Sequence, residues 1–279
     1  MQVILLGTGT PILDPARQHS ALLVEILGER ILFDAGRGVT SQMIKMGILP
    51  QQINTIFITH HHYDHIGNLG EFLLTAWHNG RSAPVTVYGP PGTRGIVSAL
   101  FDKVYAADIA FALSTEIGAT DIRKLLQVKE ISPGLVCEND KWRVLAEYVD
   151  HGNSSGLTRE DWPCLGYRVE AEDKAIAISG DCVDCDGLDR IALAVDCLIQ
   201  CCYLAEAEIT NAAFENLARY VIASSSQVGK IAARNQVKKL VLTHIRPKSQ
   251  SLMRSMVEDI RNTYQGDLLV GEDLMVIEV

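Results

Sequence analysis

Polar and apolar positions follow two rhythms along this chain. Short runs such as "QVILLG", "SALLVEI" and "RILFDAG" are almost continuously apolar and close on glycine or a turn, the pattern of strands buried on both faces. "GVTSQMIKMGI" has helical spacing and stops near "LPQQ". A strand, "TIFITH", comes next, then a helix over residues 67–79 whose Leu69, Phe72, Leu73 and Ala76 make one apolar stripe. "PVTVYGP" reads as a strand, and residues 92–130 as mostly helical. The second half continues in the same style. "RVLAEYVDH", a hairpin through "LGYRVEAEDKAIAISGD", "VDCLIQCC" and "KKLVLTHI" are strands, residues 211–235 and 250–264 are helical, and "LLVGEDLMVIEV" closes as strand. This alternation predicts an α/β protein.

The polar clusters share one location. "FDAG", "ITHHHYDH", "YVDHG", "AISGD" and "VLTHI" each follow a β-type run, so all five are expected at one end of the strands, where rigid strand ends hand over to loops that carry chemistry. In "THHHYDH", His60, His62 and Asp64 with adjacent His65 set imidazole and carboxylate donors on one short loop, while His61 and Tyr63 are expected to point elsewhere. Such donors suit zinc and its first-row neighbours, and the lack of obligatory thiolates favours a catalytic over a closed structural site. Two ions fit this loop, His60 and His62 gripping one, Asp64 and His65 the other. His151, Asp181 and His244 each follow a strand and complete the constellation. The alternative is a solvated turn with strand-end histidines in routine hydrogen bonds; four histidines within six positions argue against it.

Composition narrows the class. With 279 residues, 47% hydrophobic and 21% charged, the chain can build a substantial core, and no linker-like stretch divides it. No apolar run approaches a membrane span, and the opening "MQVILLGTGTP" lacks a signal-peptide pattern, so no membrane contact and a cytoplasmic location are expected. Seven cysteines, an odd number lying partly in apolar runs, suit reduced thiols. The formal charge of −9 opposes nonspecific attraction to polyanions. "GPPGTRG" lacks the Gly-Lys-Ser/Thr ending of a phosphate loop and reads as a turn before a helix.

The ordered set "LLGTGTP", "LFDAGRG", the histidine loop, "YGPPGTR", "DHG", "SGD", "LTH" and "GEDLMVIEV" resembles the metallo-β-lactamase superfamily of binuclear metal hydrolases, whose H-x-H-x-D-H loop is matched by His60, His62, Asp64 and His65. Within it the chain looks most like the ribonuclease Z and arylsulfatase-like branch. The resemblance implies an αββα sandwich of two mixed β-sheets flanked by helices, spanning residues 1–279 as one domain. It assigns His60, His62 and His151 to one Zn2+ and Asp64, His65 and His244 to a second, with Asp181 bridging; Mn2+, Fe2+ or Co2+ are compatible with the same ligands. Asp64 and Asp181 are thereby the catalytic carboxylates. Asp34 matches a position that buttresses the histidine loop.

The reaction implied is hydrolysis of an ester-type bond by a hydroxide held between the ions. Here the chain departs from ribonuclease Z, in which a further histidine pairs with an acidic residue to protonate the leaving group. Ile222, Ala223 and Ser224 occupy the first position and "IQCCYLAEAE" the second, so neither member is evident. Nor is there a basic glycine-rich arm for gripping RNA. With the negative charge, this favours a small, anionic substrate (phosphodiester, sulfate ester, carboxylic ester or lactone) and disfavours nucleic acid. Ribonuclease Z-like processing of transfer RNA and a noncatalytic, metal-dependent ligand-binding role are the alternatives. Arg246 and Lys248, just past His244, are expected to hold a substrate anion, and His78 to reach the cleft. Relatives of this kind suggest a homodimer.

Overall fold

The computed structural model describes residues 1–115 and 120–279. Chain order is β1 (Gln2–Gly7), β2 (Ala21–Ile26), β3 (Glu29–Phe33), α1 (Val39–Lys45), β4 (Thr55–Phe57), α2 (Tyr63–Ile66), α3 (Leu69–His78), β5 (Val85–Gly89), α4 (Thr93–Ala99), α5 (Ala106–Thr115), β6 (Leu126–Glu130) and β7 (Gly134–Glu138). It continues with β8 (Arg143–Tyr148), β9 (Leu165–Ala171), β10 (Lys174–Ile178), α6 (Asp186–Ala192), β11 (Cys197–Cys201), α7 (Ala212–Tyr220), α8 (Ser225–Arg234), β12 (Lys239–Thr243), α9 (Gln250–Arg261), β13 (Asp267–Val270) and β14 (Val276–Glu278).

Two seven-stranded sheets result, in the orders β14-β1-β2-β3-β4-β5-β6 and β13-β12-β11-β10-β9-β8-β7. Each is mixed in the same way. From β14 to β3 and from β7 to β10 the neighbours are antiparallel; from β3 to β6 and from β10 to β13 they are parallel. The continuous apolar runs have a simple cause, because the inner strands are covered on both faces. Val3 and Leu5 of β1 face the opposing sheet, while Ile4 and Leu6 face helices. Between the sheets, Phe33, Phe57 and Tyr88 stack at 5.1 and 4.8 Å, and Tyr167 from the second sheet closes on Phe33 and Phe57 at 5.5 and 5.2 Å. Helices α1, α3, α4 and α5 cover the outer face of the first sheet, and α6, α8 and α9 that of the second. This is the αββα sandwich that the resemblance implies.

Strand direction places the functional loops. β3 and β4 run parallel, as do β10, β11 and β12, and β8 joins that sense because it is antiparallel to β9, itself antiparallel to β10. The loops after β3, β4, β8, β10 and β12 therefore leave at the carboxyl ends of like-directed strands.

Three expectations need correction. Residues 92–130 are not all helical, since Leu126–Glu130 forms β6, an edge strand on β5 whose partial exposure dilutes its apolar signal; residues 116–119 lie outside the described residues. The closing "LLVGEDLMVIEV" is not one strand. β13 ends one sheet and β14 ends the other, and between them Asp273 ties the crossing to the start of the chain by accepting from the Thr8 amide (2.9 Å) and hydroxyl (2.8 Å). The helical region at 211–235 is split into α7 and α8 by the segment 221–224.

Candidate metal centre

His60 and His62 follow β4, and Asp64 and His65 lie on the short helix α2 that opens immediately afterwards. His151 follows β8, Asp181 follows β10, and His244 follows β12 in a left-handed conformation (φ 53°). All seven converge. Donor atoms of His60, His62, His151 and Asp181 lie within 4.8 Å of one another, and those of Asp64, His65 and His244 do likewise. In the first group His62 Nδ1 is 3.0 Å from His60 Nε2 and 3.2 Å from His151 Nε2. In the second, His244 Nε2 is 3.2 Å from Asp64 Oδ2, and His65 Nε2 is 3.7 Å from the same oxygen. Asp181 Oδ2 reaches both groups, standing 3.0 Å from His244, 3.4 Å from His65 and 4.0 Å from His151.

These separations can be compared with a metal shell. Donors about 2.0–2.1 Å from a tetrahedral zinc stand roughly 3.4 Å apart, within the observed range. Asp64 Oδ1 and His65 Nε2 are buried and have no hydrogen-bond partner among the described residues. Such atoms are normally satisfied. Donor chemistry, spacing and these orphaned atoms all fit a divalent cation.

The supports are as specific as the donors. Asp34, also left-handed (φ 59°), accepts from His65 Nδ1 (2.7 Å), the Thr59 amide (2.8 Å) and the Thr59 hydroxyl (2.9 Å). Because the Thr59 hydroxyl donates to Asp34, its oxygen is left to accept from His60 Nδ1 at 3.0 Å. His151 Nδ1 donates to the Val221 carbonyl (2.6 Å). In each case the rear nitrogen carries the proton and the front nitrogen keeps its lone pair. His61 turns away to Thr93 (2.8 Å), and the Tyr63 hydroxyl donates to Pro11 O (3.1 Å).

Electrostatics divide the imidazoles. Burial holds His60 well below its ordinary value, takes His62 down to about 4 and lowers His151, so the first group consists of neutral bases. His65 and His244 are raised: burial opposes this, but the Asp181, Asp34 and Asp64 carboxylates outweigh it. Asp181 is held well below the usual carboxylate range; burial again opposes, and His244 and His65 prevail.

Other sequence-predicted residues fall elsewhere. Lys248 is not free to hold a substrate anion: its ammonium is buried and donates to Glu208 and to Tyr203 O (2.7 Å). Arg246 is paired with the same Glu208 and lies over the Tyr203 and Phe214 rings at 5.6 and 5.4 Å. Both cations are committed to the same carboxylate and form part of the wall beside His244. His78 does not join the cluster, since its Nε2 pairs with Asp108 on α5 at 3.0 Å in an exposed contact. The acidic member thought absent has a counterpart in Glu206, which accepts from the hydroxyls of Ser224 (2.6 Å) and Ser226 (2.5 Å). Among the described residues no histidine accompanies it. All seven cysteines are free thiols, and Cys201 donates to the Cys182 carbonyl at 3.4 Å.

Thr59 and Trp162 escape the sequence reading. Thr59 adjoins the histidine loop, and only its bonds reveal its part. Trp162 lies in a polar stretch without periodicity, yet its ring centroid is 4.7 Å from that of His62.

Comparison with known proteins agrees with this geometry. Residues 29–245 match the family described as beta-lactamase superfamily domain. Ribonuclease Z of Mycolicibacterium gilvum is 30% identical, with 100% of this chain and 96% of that protein covered. Ribonuclease Z of Mycobacterium bovis is 29% identical, with 100% and 98% covered. The crystal structure of human tRNase Z, short form, superposes with a TM-score of 0.75 at 25% identity, covering 100% of this chain and 99% of that one. These relatives, matched over essentially their whole length, are named ribonuclease Z or tRNase Z, which overturns the expectation of a small-molecule partner with nucleic acid disfavoured. Net charge sums the whole surface and does not describe the field at one cleft. The chain belongs to the metallo-β-lactamase superfamily of metal-dependent hydrolases, on the branch that includes ribonuclease Z.

Proposed function

We propose that this protein is a ribonuclease Z-like phosphodiesterase that hydrolyses an RNA backbone, with transfer RNA precursors as the substrate class. In this reading His60, His62 and His151 would hold one divalent ion, zinc by preference, and Asp64, His65 and His244 would hold a second, with Asp181 in reach of both donor groups. The observation that carries it is the reach of a single Asp181 oxygen to His244, His65 and His151, in a chain similar along its length to ribonuclease Z. Bound there, such ions would supply Lewis acidity toward a phosphoryl group and lower the pKa of water.

The chain's own residues prepare that chemistry. Asp34 and Thr59 fix the rings of His65 and His60, and Val221 O fixes that of His151, so the donor atoms are set before a substrate arrives. The segment after Val221 presents Ile222, Ala223 and Ser224, none of which titrates near neutrality. Protonation of the departing ribose oxygen is therefore left to solvent, and the rate should depend steeply on leaving-group basicity.

The test is cleavage of a transcribed transfer RNA precursor by purified protein loaded with zinc. The reading expects a discrete product that disappears after chelation and returns with added zinc. Intact precursor in the presence of a zinc-loaded, folded protein would refute it.

A further inference from the structure

Trp162 ends the loop that leads from His151 to β9, and that loop is pinned. Asn153 Nδ2 donates to the carbonyls of Trp162 (2.8 Å) and Thr158 (3.2 Å), Asp161 accepts from the Thr158 hydroxyl (2.7 Å), and Arg159 pairs with Asp150 (2.9 Å). The result is an indole held against the candidate ligands, 4.7 Å from the His62 ring and 6.1 Å from that of His60.

The three tryptophans differ in how their N–H groups are satisfied. Trp77 and Trp142 are buried, and their Nε1 atoms donate to Thr120 O and Glu29 Oε2, both at 2.8 Å. Trp162 packs on one side against the core of the second sheet but is only half-buried, and its Nε1 has no acceptor among the described residues. A fully buried indole usually finds a partner for that group, whereas the outward face and N–H of Trp162 stay open to a ligand. A rigid aromatic surface with an unspent donor, beside a site read as cutting RNA, matches what a nucleobase offers: a π-face for stacking and edge acceptors for the N–H.

Resting on the ribonuclease reading above, we propose that Trp162 is a specificity-determining substrate contact, its indole receiving the base of a nucleotide that flanks the scissile phosphodiester. The contact discriminates RNA by its bases without touching the reacting atoms. Its effect is therefore on KM, not on zinc content.

Full-length Trp162→Ala and Trp162→Phe proteins, loaded with zinc, are compared with wild type on a transfer RNA precursor and on the same RNA made abasic at either nucleotide flanking the cleavage point. Trp162→Ala should raise KM on intact RNA by about fivefold to a hundredfold, the range expected for loss of one stacked base. The penalty should vanish on one of the abasic substrates, zinc content should be unchanged, and Trp162→Phe should retain most of the affinity. An equal penalty on intact and abasic RNA, loss of zinc together with activity, or an unchanged KM each overturns the proposal. Wild type that leaves all RNA intact removes the ribonuclease reading, and this inference falls with it. If the variants fail to fold, wild-type fluorescence decides. Trp77 and Trp142 are buried, so an uncleavable intact RNA should quench emission and its abasic counterpart should not. Equal quenching by both overturns the contact.

Discussion

Asp34→Asn removes one charge from behind the histidine loop with almost no change in volume. Asp34 is left-handed (φ 59°), a conformation asparagine tolerates, so the backbone has no reason to move. Its Oδ1 accepts from the Thr59 amide (2.8 Å), and its Oδ2 from His65 Nδ1 (2.7 Å) and the Thr59 hydroxyl (2.9 Å). An amide offers one acceptor oxygen for these two sides. If that oxygen faces Thr59, the NH2 faces His65 Nδ1 and drives the ring proton to Nε2, the atom 3.4 Å from Asp181 and 3.7 Å from Asp64. If it faces His65, the NH2 meets the Thr59 N–H, donor against donor. Either orientation loses a buried hydrogen bond to a charged acceptor, a change of about 1.5–3 kcal/mol. Expressed in binding, that is roughly 10- to 100-fold, the range found when the outer partner of a ligating imidazole is removed. The assay is a zinc titration of chelator-stripped protein against a chromophoric competitor. Zinc should bind about 10- to 100-fold more weakly at the His65 group, the His60 group should be nearly unchanged, and excess zinc should restore activity. Zinc affinities equal to wild type, with the fold intact by circular dichroism, would refute the orienting role of Asp34.

Further outcomes follow from other contacts. Chelation should abolish phosphodiesterase activity and lower the melting temperature, because ions that bind only the folded chain stabilise it; unchanged melting would count against a resident metal. Glu208→Gln strands Arg246 and the buried Lys248, and breaking such a pair is expected to cost roughly 3–5 kcal/mol by urea unfolding at neutral pH. Glu208 lies below its ordinary 4.5: burial opposes the shift, but bonds from Lys248 and Arg246 outweigh it. A depressed carboxylate stabilises above its unfolded value, and the benefit fades as pH falls through the folded one, so the gap between variant and wild type should narrow only below about pH 4.5. Gly36→Ala would put a Cβ 2.2 Å from Asp64 O and 2.7 Å from Ser20 O, so the histidine loop must shift; loss of about 1–3 kcal/mol of stability is expected, with weaker zinc binding in the same titration.

How far this centre can be read from sequence depends on whether the relevant geometry is local or is imposed by strand direction. The histidine loop is local, so its four donors are visible in the letters. His151, Asp181 and His244 are distant in sequence, yet each follows an apolar run, and like-directed strands deliver their ends to one edge, so placing the strands also places the donors. Sequence position stops predicting a side chain's direction where a partner elsewhere in the chain decides it. Arg246 and Lys248 stand next to His244, but Glu208 turns both into the wall. His78 is drawn to Asp108, and Trp162 is brought to His62 by bonds inside its own loop. The chain's −9 charge misleads for a related reason, since a net sum holds no information about where charges lie and counts pairs such as Arg246 with Glu208 as though they faced solvent. Adjacency in sequence is thus a sound guide to which backbone reaches the site and a poor one to which side chains enter it. The substrate-facing residues must be sought among groups whose bonding capacity the fold leaves unspent, and Trp162 is such a group.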